Sequence, residues 1–380
     1  LDRPLPAAGS SGDGDGPIGM DLTSFSTYWR SVATGTRKGL AGRLLVLALS
    51  PVALLYACIQ IIRSTLYQKR ILTVKRLPRP VISVGNITVG GTGKTPATAF
   101  IARVLLARGM KVAVLSRGYG GAMEGQTAIV ADGDAIRLDA GQCGDEPYLL
   151  AATVPGLMVV MGTDRQRAGM LAMEQLSPDI FLLDDGFQHL RLQRDLNILL
   201  VDCAHPFGNG WTLPAGLLRE PISAVQRADL VIHTRCPQGF SPPPLAGKPA
   251  CSARHRLGAA LPLSGGPSIS FNDLRGTKVL AFAGIGEPEP FFEELRTLGL
   301  DVVRTIPLPD HAAYTPDQLA GLGEAFRGSG AEYAVTTEKD GVKLRRLAPE
   351  FAQKVLLAPL EFALDDPTTL TGLLNNLLQK

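Results

Sequence analysis

Arg79-Pro-Val-Ile-Ser-Val-Gly-Asn-Ile-Thr-Val-Gly-Gly-Thr-Gly-Lys94-Thr95-Pro96 decides how the chain folds. The apolar run Val81 to Val84 reads as a buried strand, Gly85 to Gly93 as a loop, and Pro96 to Ala107 as a helix with apolar spacing near the 3.6 period. Strand, glycine loop and helix in that order form the context of a phosphate-binding loop. Glycines let consecutive backbone N–H groups curl around a polyphosphate, and the helix N-terminus adds positive potential. The residues that would line this cradle are Thr88, Val89, Gly90, Gly91, Thr92, Gly93, Lys94 and Thr95. Lys94 would reach the β- and γ-phosphates of a nucleotide such as ATP, and the Thr95 hydroxyl would face Mg²⁺. The usual G-x-x-x-x-G-K-T spacing wants glycine at position 88, where this chain has Thr88, with Gly90 and Gly91 shifted inward.

Outward from that loop the composition sets bounds. The 380 residues, 45% of them apolar, suffice for two folded domains. A net charge of +3 and the lack of a basic stripe interleaved with aromatics argue against nucleic acid as a partner. Cys58, Cys143, Cys203, Cys236 and Cys251 follow no paired spacing, so reduced thiols in a cytoplasmic setting and no zinc site are expected. Residues 1–19, rich in Gly, Pro, Ser and Asp, read as a disordered leader, with Met20 directly after it.

From Leu44 to Ile62 run nineteen uncharged residues between Arg43 and Arg63. As a helix they would measure about 28 Å, borderline for crossing a bilayer. Basic residues crowd both flanks, the heavier group being Arg63, Lys69, Arg70, Lys75, Arg76 and Arg79. That suits an anionic membrane surface, with the rest of the chain on the cytoplasmic side. Three readings stay open: a helix in the membrane interface, a single span, or a buried core helix. Pro51 weighs against the span.

Downstream, Lys111 to Ser116 reads as a strand, and Gly144-Asp145-Glu146-Pro147 opens a helix, where capping would by itself explain the acids. Leu157 to Met161 is a strand, and so is Ile180-Phe-Leu-Leu, which ends in Asp184 and Asp185. An acid at a strand end beside a phosphate loop holds Mg²⁺ in nucleotide enzymes, and the carboxyl edge is where open α/β sheets bind ligands. Two more strands, Leu196 to Val201 and Ala228 to Thr234, flank a long polar loop containing Leu213-Pro-Ala-Gly-Leu-Leu-Arg219-Glu220-Pro221. Pro and Gly dominate the linker or ribbon at 238–270, and a second α/β pattern follows over 271–380. The expected fold is therefore α/β: a P-loop NTPase-like, mostly parallel sheet domain (80–237), a smaller α/β domain (271–380), and a membrane-associated helical segment (20–79).

Gly85-Asn86 with Gly90-Gly-Thr-Gly-Lys-Thr-Pro96, Ser116-Arg-Gly-Tyr119, Gly144-Asp-Glu-Pro147 and Leu183-Asp-Asp-Gly-Phe-Gln-His189 together resemble the tetraacyldisaccharide 4'-kinase family, as do Leu213 to Pro221, Asp310-His311 and Thr337-Glu-Lys-Asp340. The resemblance runs in order from about Leu44 to the C-terminus. It implies transfer of the ATP γ-phosphate to the 4'-hydroxyl of an acylated glucosamine disaccharide 1-phosphate, forming lipid IV-A at the cytoplasmic face of the bacterial inner membrane. It further implies Asp145 as catalytic aspartate, His311 as its partner across the domain cleft, and Asp184 with Asp185 as the metal-holding pair. Arg165, Arg219 and Glu220 match charged positions of the cleft, the last two on the nucleotide side. Thr88 is the family's own habit, whereas Leu217 stands where members often have proline and Ala312 where a second histidine is frequent. Substrate and membrane surface are the implied partners, with no obligate protein partner. The rival reading is a membrane-bound P-loop ATPase that hydrolyses without transferring phosphate to a small molecule.

Overall fold

Strands buried along their whole length lie at the centre of the molecule: β1 (Val81–Gly85) and β2 (Val112–Ser116) are buried at every position, the pattern of parallel strands covered on both faces. They belong to a sheet with β3 (Ala128–Asp132), β4 (Met158–Met161), β5 (Ile180–Asp184), β6 (Leu196–Asp202), β7 (Leu230–Thr234) and β8 (Ala250–Leu257). A second sheet comprises β9 (Leu261–Pro262), β10 (Lys278–Ala283), β11 (Asp301–Pro307), β12 (Tyr333–Thr337) and β13 (Val355–Ala358) in the order β11-β10-β12-β13-β9. The chain then returns as β14 (Leu360–Leu364) beside β8, so that the first sheet has nine strands, β14-β8-β7-β6-β1-β5-β2-β4-β3. Only the edge strands β3 and β14 run antiparallel in it. The computed structural model describes residues 22–310, 312–344 and 347–379; the leader expected over 1–19 lies outside them.

Helices cover both faces of the first sheet. After α1 (Leu22–Ala33) and α2 (Leu40–Gln68) come α3 (Lys94–Leu106), α4 (Ala140–Cys143), α5 (Asp145–Thr153) and α6 (Arg165–Gln175). Ile101 and Leu105 of α3 and Leu150 of α5 pack with Ile82 and Val84 on one face. Ala168 and Ala172 of α6 meet Val81 and Phe181 on the other. The second sheet carries α7 (Glu289–Thr297), α8 (Pro316–Ser329), α9 (Glu338–Gly341) and α10 (Pro349–Ala352), and α11 (Thr368–Leu378) goes back to the first core through Leu370 and Leu374.

The architecture is thus α/β with two mixed sheets and one long apolar N-terminal helix. Three local expectations change. Helix α2 spans 29 residues, roughly 43 Å, and passes through Pro51 unbroken. The Ser50 hydroxyl donates to the Leu47 carbonyl at 2.8 Å, the group that proline leaves without its helical donor. Its apolar stretch is only 6% buried, which removes the core-helix reading. The 238–270 stretch contains β8 and β9, and 360–364 joins the first sheet with α11 packed on its core, because long-range pairing rather than local pattern makes these strands. Cys203 and Cys236 form a disulfide, Cα atoms 5.1 Å apart, at the ends of the neighbouring strands β6 and β7. Their sequence separation of 33 had concealed the pairing.

His255 on β8 lies against the glycine loop, where a Cβ at Gly93 would come within 2.5 Å of its Nε2. Burial, reinforced by Arg235, lowers its imidazole from 6.5 to about 4. Between those values the unfolded chain binds a proton that the folded chain refuses, so this contribution is intact above pH 6.5 and lost as pH falls toward 4. Asp184, raised by burial, acts in the opposite sense. A comparison of wild type with His255→Gln isolates the histidine: the melting temperature of wild type minus variant becomes more negative between about pH 7 and about pH 4.5.

Candidate active site

The register of β1 against β5 pairs Val84 with Asp184, so the loop after one strand and the acids ending the other share an edge. Strand order reverses about β1, which has β5 on one side and β6 on the other, and a crevice opens at such a switch point. Gly93, at φ 78°, turns the loop into α3, whose first residue is Lys94. A side chain at 93 would be strained in this left-handed conformation and would strike His255. Buried Asn86 braces the loop by donating through Nδ2 to the hydroxyls of Thr92 (2.9 Å) and Thr88 (3.3 Å).

Asp184 is buried, and Thr98 on α3 donates to its Oδ1 at 3.0 Å. Burial pushes this carboxyl well above the usual range, and Glu146 and Asp185 push it further. Asp185 has a left-handed backbone, φ 50°, which Asp tolerates better than most residues. Its oxygens accept from Arg219 Nη1 at 2.8 and 3.0 Å, and Lys94 Nζ stands 3.9 Å away. Arg165, also buried, is lowered to about 10 by burial, against the pull of Asp184 and Asp185.

Among the described residues no three His, Cys, Asp or Glu side chains converge as a protein-only metal cage. The donors do suit Mg²⁺: it takes oxygen ligands, typically one or two carboxylates plus phosphate and water. Two crowded carboxylates, one held away from its charged form by burial, are groups that a divalent cation would relieve.

The loop from Trp211 to Pro221 is strapped onto the glycine loop. Val89 N–H donates to the Leu217 carbonyl at 2.8 Å and Arg219 N–H to that of Ile87 at 2.7 Å. Glu220, expected on the nucleotide side, is buried, and its carboxylate is engaged by Arg227 at 2.8 Å and by Gln188 at 3.0 Å. It anchors the strap that carries Arg219. The same strap holds the N-terminal helices: Trp29 Nε1 donates to the Pro214 carbonyl, Thr212 to that of Ala53, and the Tyr56 hydroxyl to that of Arg219.

Asp145 is the first residue of α5 rather than its cap. Gly144 occupies the N-cap at φ 89°, and a Cβ there would sit 2.5 Å from the Tyr119 carbonyl oxygen. Asp145 Oδ2 pairs at 2.6 Å with Lys343, which comes from the second sheet. The Thr337–Asp340 turn is a structural clip: buried Asp340 accepts from the Thr337 hydroxyl at 2.7 Å and from Gly284 N–H at 3.0 Å. Lys339 holds Asp310 at 3.0 Å. His311 lies outside the described residues. Lys343, Thr98 and Arg227 are the site residues that sequence reasoning missed; only Lys343 left a signal, a lysine four places after Lys339 on the strand-end turn.

A glycine loop running into a helix that starts with a lysine, beside an acid pair and buried or half-buried arginines, is a set of groups suited to polyphosphate and its charge, which is the equipment of a phosphotransferase. Comparison narrows the class. The family pattern "Tetraacyldisaccharide-1-P 4'-kinase" (LpxK) matches residues 45–379. A tetraacyldisaccharide 4'-kinase of Pelobacter propionicus is 63% identical over 94% of this chain and 99% of its own length. One of Geobacter sulfurreducens is 54% identical over 90% and 99%. The crystal structure of LpxK from Aquifex aeolicus in complex with ATP superposes with a TM-score of 0.75 at 36% identity, covering 88% of this chain and 99% of that one. The chain belongs to the tetraacyldisaccharide 4'-kinase family, the ATP-dependent kinases that phosphorylate a lipid A precursor.

Glu220→Ala leaves the largely buried Arg227 without its carboxylate and should destabilise the fold by about 3 kcal/mol, measured by chemical unfolding.

Proposed function

We propose that this chain transfers the γ-phosphate of ATP to the 4'-hydroxyl of a tetraacylated glucosamine disaccharide 1-phosphate, forming lipid IV-A, with Asp145 as the proton acceptor. One observation carries the reading: in a chain of this family, the glycine loop, Lys94, the acid pair and the helix bearing Asp145 meet at one carboxyl edge. Glu146, next to Asp145, is near enough to Asp184 to raise its pKa.

The glycine loop is read as a variant P-loop, whose amides and Lys94 hold the polyphosphate. Thr95, Asp184 and Asp185 would hold Mg²⁺, which when bound neutralises charge on the phosphate oxygens. Arg219 draws on the same charge from the strap and positions Asp185. Asp145 takes the proton of the attacking hydroxyl, with His311 orienting it as the family resemblance implies. The two sheets are read as two domains, 80–237 and 271–380 with the 238–270 ribbon between, joined so that 360–378 completes the first. Their approach excludes water that would otherwise accept the phosphate.

Helix α2 supports a place at the cytoplasmic face of the inner membrane. Its Ala53, Tyr56, Arg63 and Ser64 fasten to the enzyme body through Thr212, Arg219, Gln188 and Arg227. The opposite side exposes Leu44, Leu47, Leu55 and Ile62. A helix with one side occupied by protein and the other apolar suits the interface better than a full span. Between it and the strap lies a pocket of about 300 Å³ lined by Ala53, Leu54, Ala57, Trp211, Thr212 and Ile222, open to an apolar chain of the lipid.

With labelled ATP and the disaccharide 1-phosphate in detergent, label should pass to lipid; label found only in inorganic phosphate would favour the ATPase reading. Asp145→Asn should lower kcat by about 10²- to 10⁴-fold with little change in the KM for ATP. Leu47→Glu with Leu55→Glu should reduce sedimentation with anionic vesicles while the melting temperature stays put, since both side chains face solvent.

A further inference from the structure

We propose that Lys343 is a positioning residue of the phosphoryl transfer: delivered by the five-stranded-sheet half, its ammonium fixes the Asp145 carboxylate of the nine-stranded-sheet half in the orientation in which it receives the hydroxyl proton. The inference rests on the reading of Asp145 as proton acceptor.

Among the described residues, ion pairs both cross between the two halves and run beside their junction. Arg30 and Arg235 both reach Glu287, at 3.3 and 3.9 Å, but that side chain is 49% exposed and water competes for it. Lys343 to Asp145 is different in kind: 2.6 Å, with each side chain only 12% exposed. The same ammonium donates to the Ala312 carbonyl at 3.2 Å, so it is held from the turn that carries Asp310. Lys339 grips Asp310 itself at 3.0 Å. Both lysines issue from one small rigid unit. Thr337 caps α9, fully buried Asp340 ties that helix to Gly284, Lys343 N–H donates to the Asp340 carbonyl at 3.0 Å, and Leu344 beyond it is buried. A lysine on a loose loop would lose much rotamer freedom in reaching across a cleft; this one starts from a fixed backbone.

The chemistry suits positioning and not proton transfer. An ammonium has three donors and no acceptor, so it can pin Oδ2 without competing for the proton that the carboxylate is to receive. Pinning one oxygen fixes the carboxylate plane, and a base that must meet a hydroxyl within hydrogen-bond reach depends on that plane. Because the pin comes from the other half of the molecule, the base is correctly aimed only when the two halves are together, which couples proton acceptance to water exclusion.

The test is steady-state kinetics on Lys343→Met, Lys343→Arg and Asp145→Asn in mixed micelles. Lys343→Met should lose about 10²-fold in kcat, the scale of a misplaced catalytic group. Its KM for ATP should stay within about twofold of wild type. Lys343→Arg, which retains a donor cation, should recover at least about tenfold of that loss. Unchanged kcat in Lys343→Met beside a severe loss in Asp145→Asn overturns the role of Lys343 alone. Unchanged kcat in Asp145→Asn instead overturns the proton-acceptor reading beneath it. A raised KM for ATP at constant kcat makes Lys343 a nucleotide ligand and overturns the proposal. Should Lys343→Met not fold, Lys343→Gln, which keeps a donor for the Ala312 carbonyl, is read by the same criteria.

Discussion

Everything at the site follows from one register. With Val84 opposite Asp184 in adjacent parallel strands, the end of β1 and the end of β5 cannot be separated, and whatever follows each strand must share a crevice. The glycine loop and the acid pair are what follow. The arrangement costs stability locally: Asp184 is buried beside two other acids, and Asp185 holds a left-handed backbone. Thr98, Lys94 and Arg219 supply the opposing interactions, and the dense apolar packing of α3 and α6 on the two sheet faces keeps the register from relaxing.

The strap from Trp211 to Pro221 ties that crevice to the apolar N-terminal helix. On one side it pairs with the glycine loop through backbone hydrogen bonds; on the other it receives three contacts from α1 and α2. Buried Glu220, clamped by Arg227, keeps the strap in place, and Arg227 also stacks over the Phe187 ring at 4.8 Å and reaches Ser64 of α2. The apolar helix and the glycine loop are consequently tied through one strap.

Much of this was legible because parallel strands buried on both faces must be continuous apolar runs: β1, β2, β5, β6 and β10 declare themselves, and the glycine loop and acid pair sit at their ends. What stayed hidden depends on contacts distant in sequence. Strand β8, Ala-Cys-Ser-Ala-Arg-His-Arg-Leu, has no strand pattern of its own and is made by pairing with β7 and β14. The Cys203–Cys236 bond depends on the same adjacency of strands. Asp145 looked like a cap because acids favour helix starts whatever their task; its pairing with Lys343 spans 198 positions, from 145 to 343. That α2 runs on through Pro51 depends on the hydroxyl of its neighbour Ser50, a detail of rotamer and not of composition.

The connection between the two sheets gives the cross-sheet contacts their weight. The chain leaves the first sheet once, after β8, and returns once, into β14; these strands lie side by side, pinned by Arg254 and Ser252 on Asp365 at 2.6 Å each. The ribbon of these two strands is packed at its root, where β8 also pairs with β7 and Phe362 of β14 lies 5.5 Å from Phe100 of α3. Contacts across the cleft beyond it add to what sets the relative orientation of the halves. Exposed pairs such as Arg30–Glu287 are weak and screened by salt. The shielded Lys343–Asp145 pair is not, and it falls on the carboxylate proposed as the proton acceptor. On the proposed reading, an enzyme that must admit a lipid headgroup and afterwards exclude water is served by a well-shielded charge contact that forms only when the two halves are together.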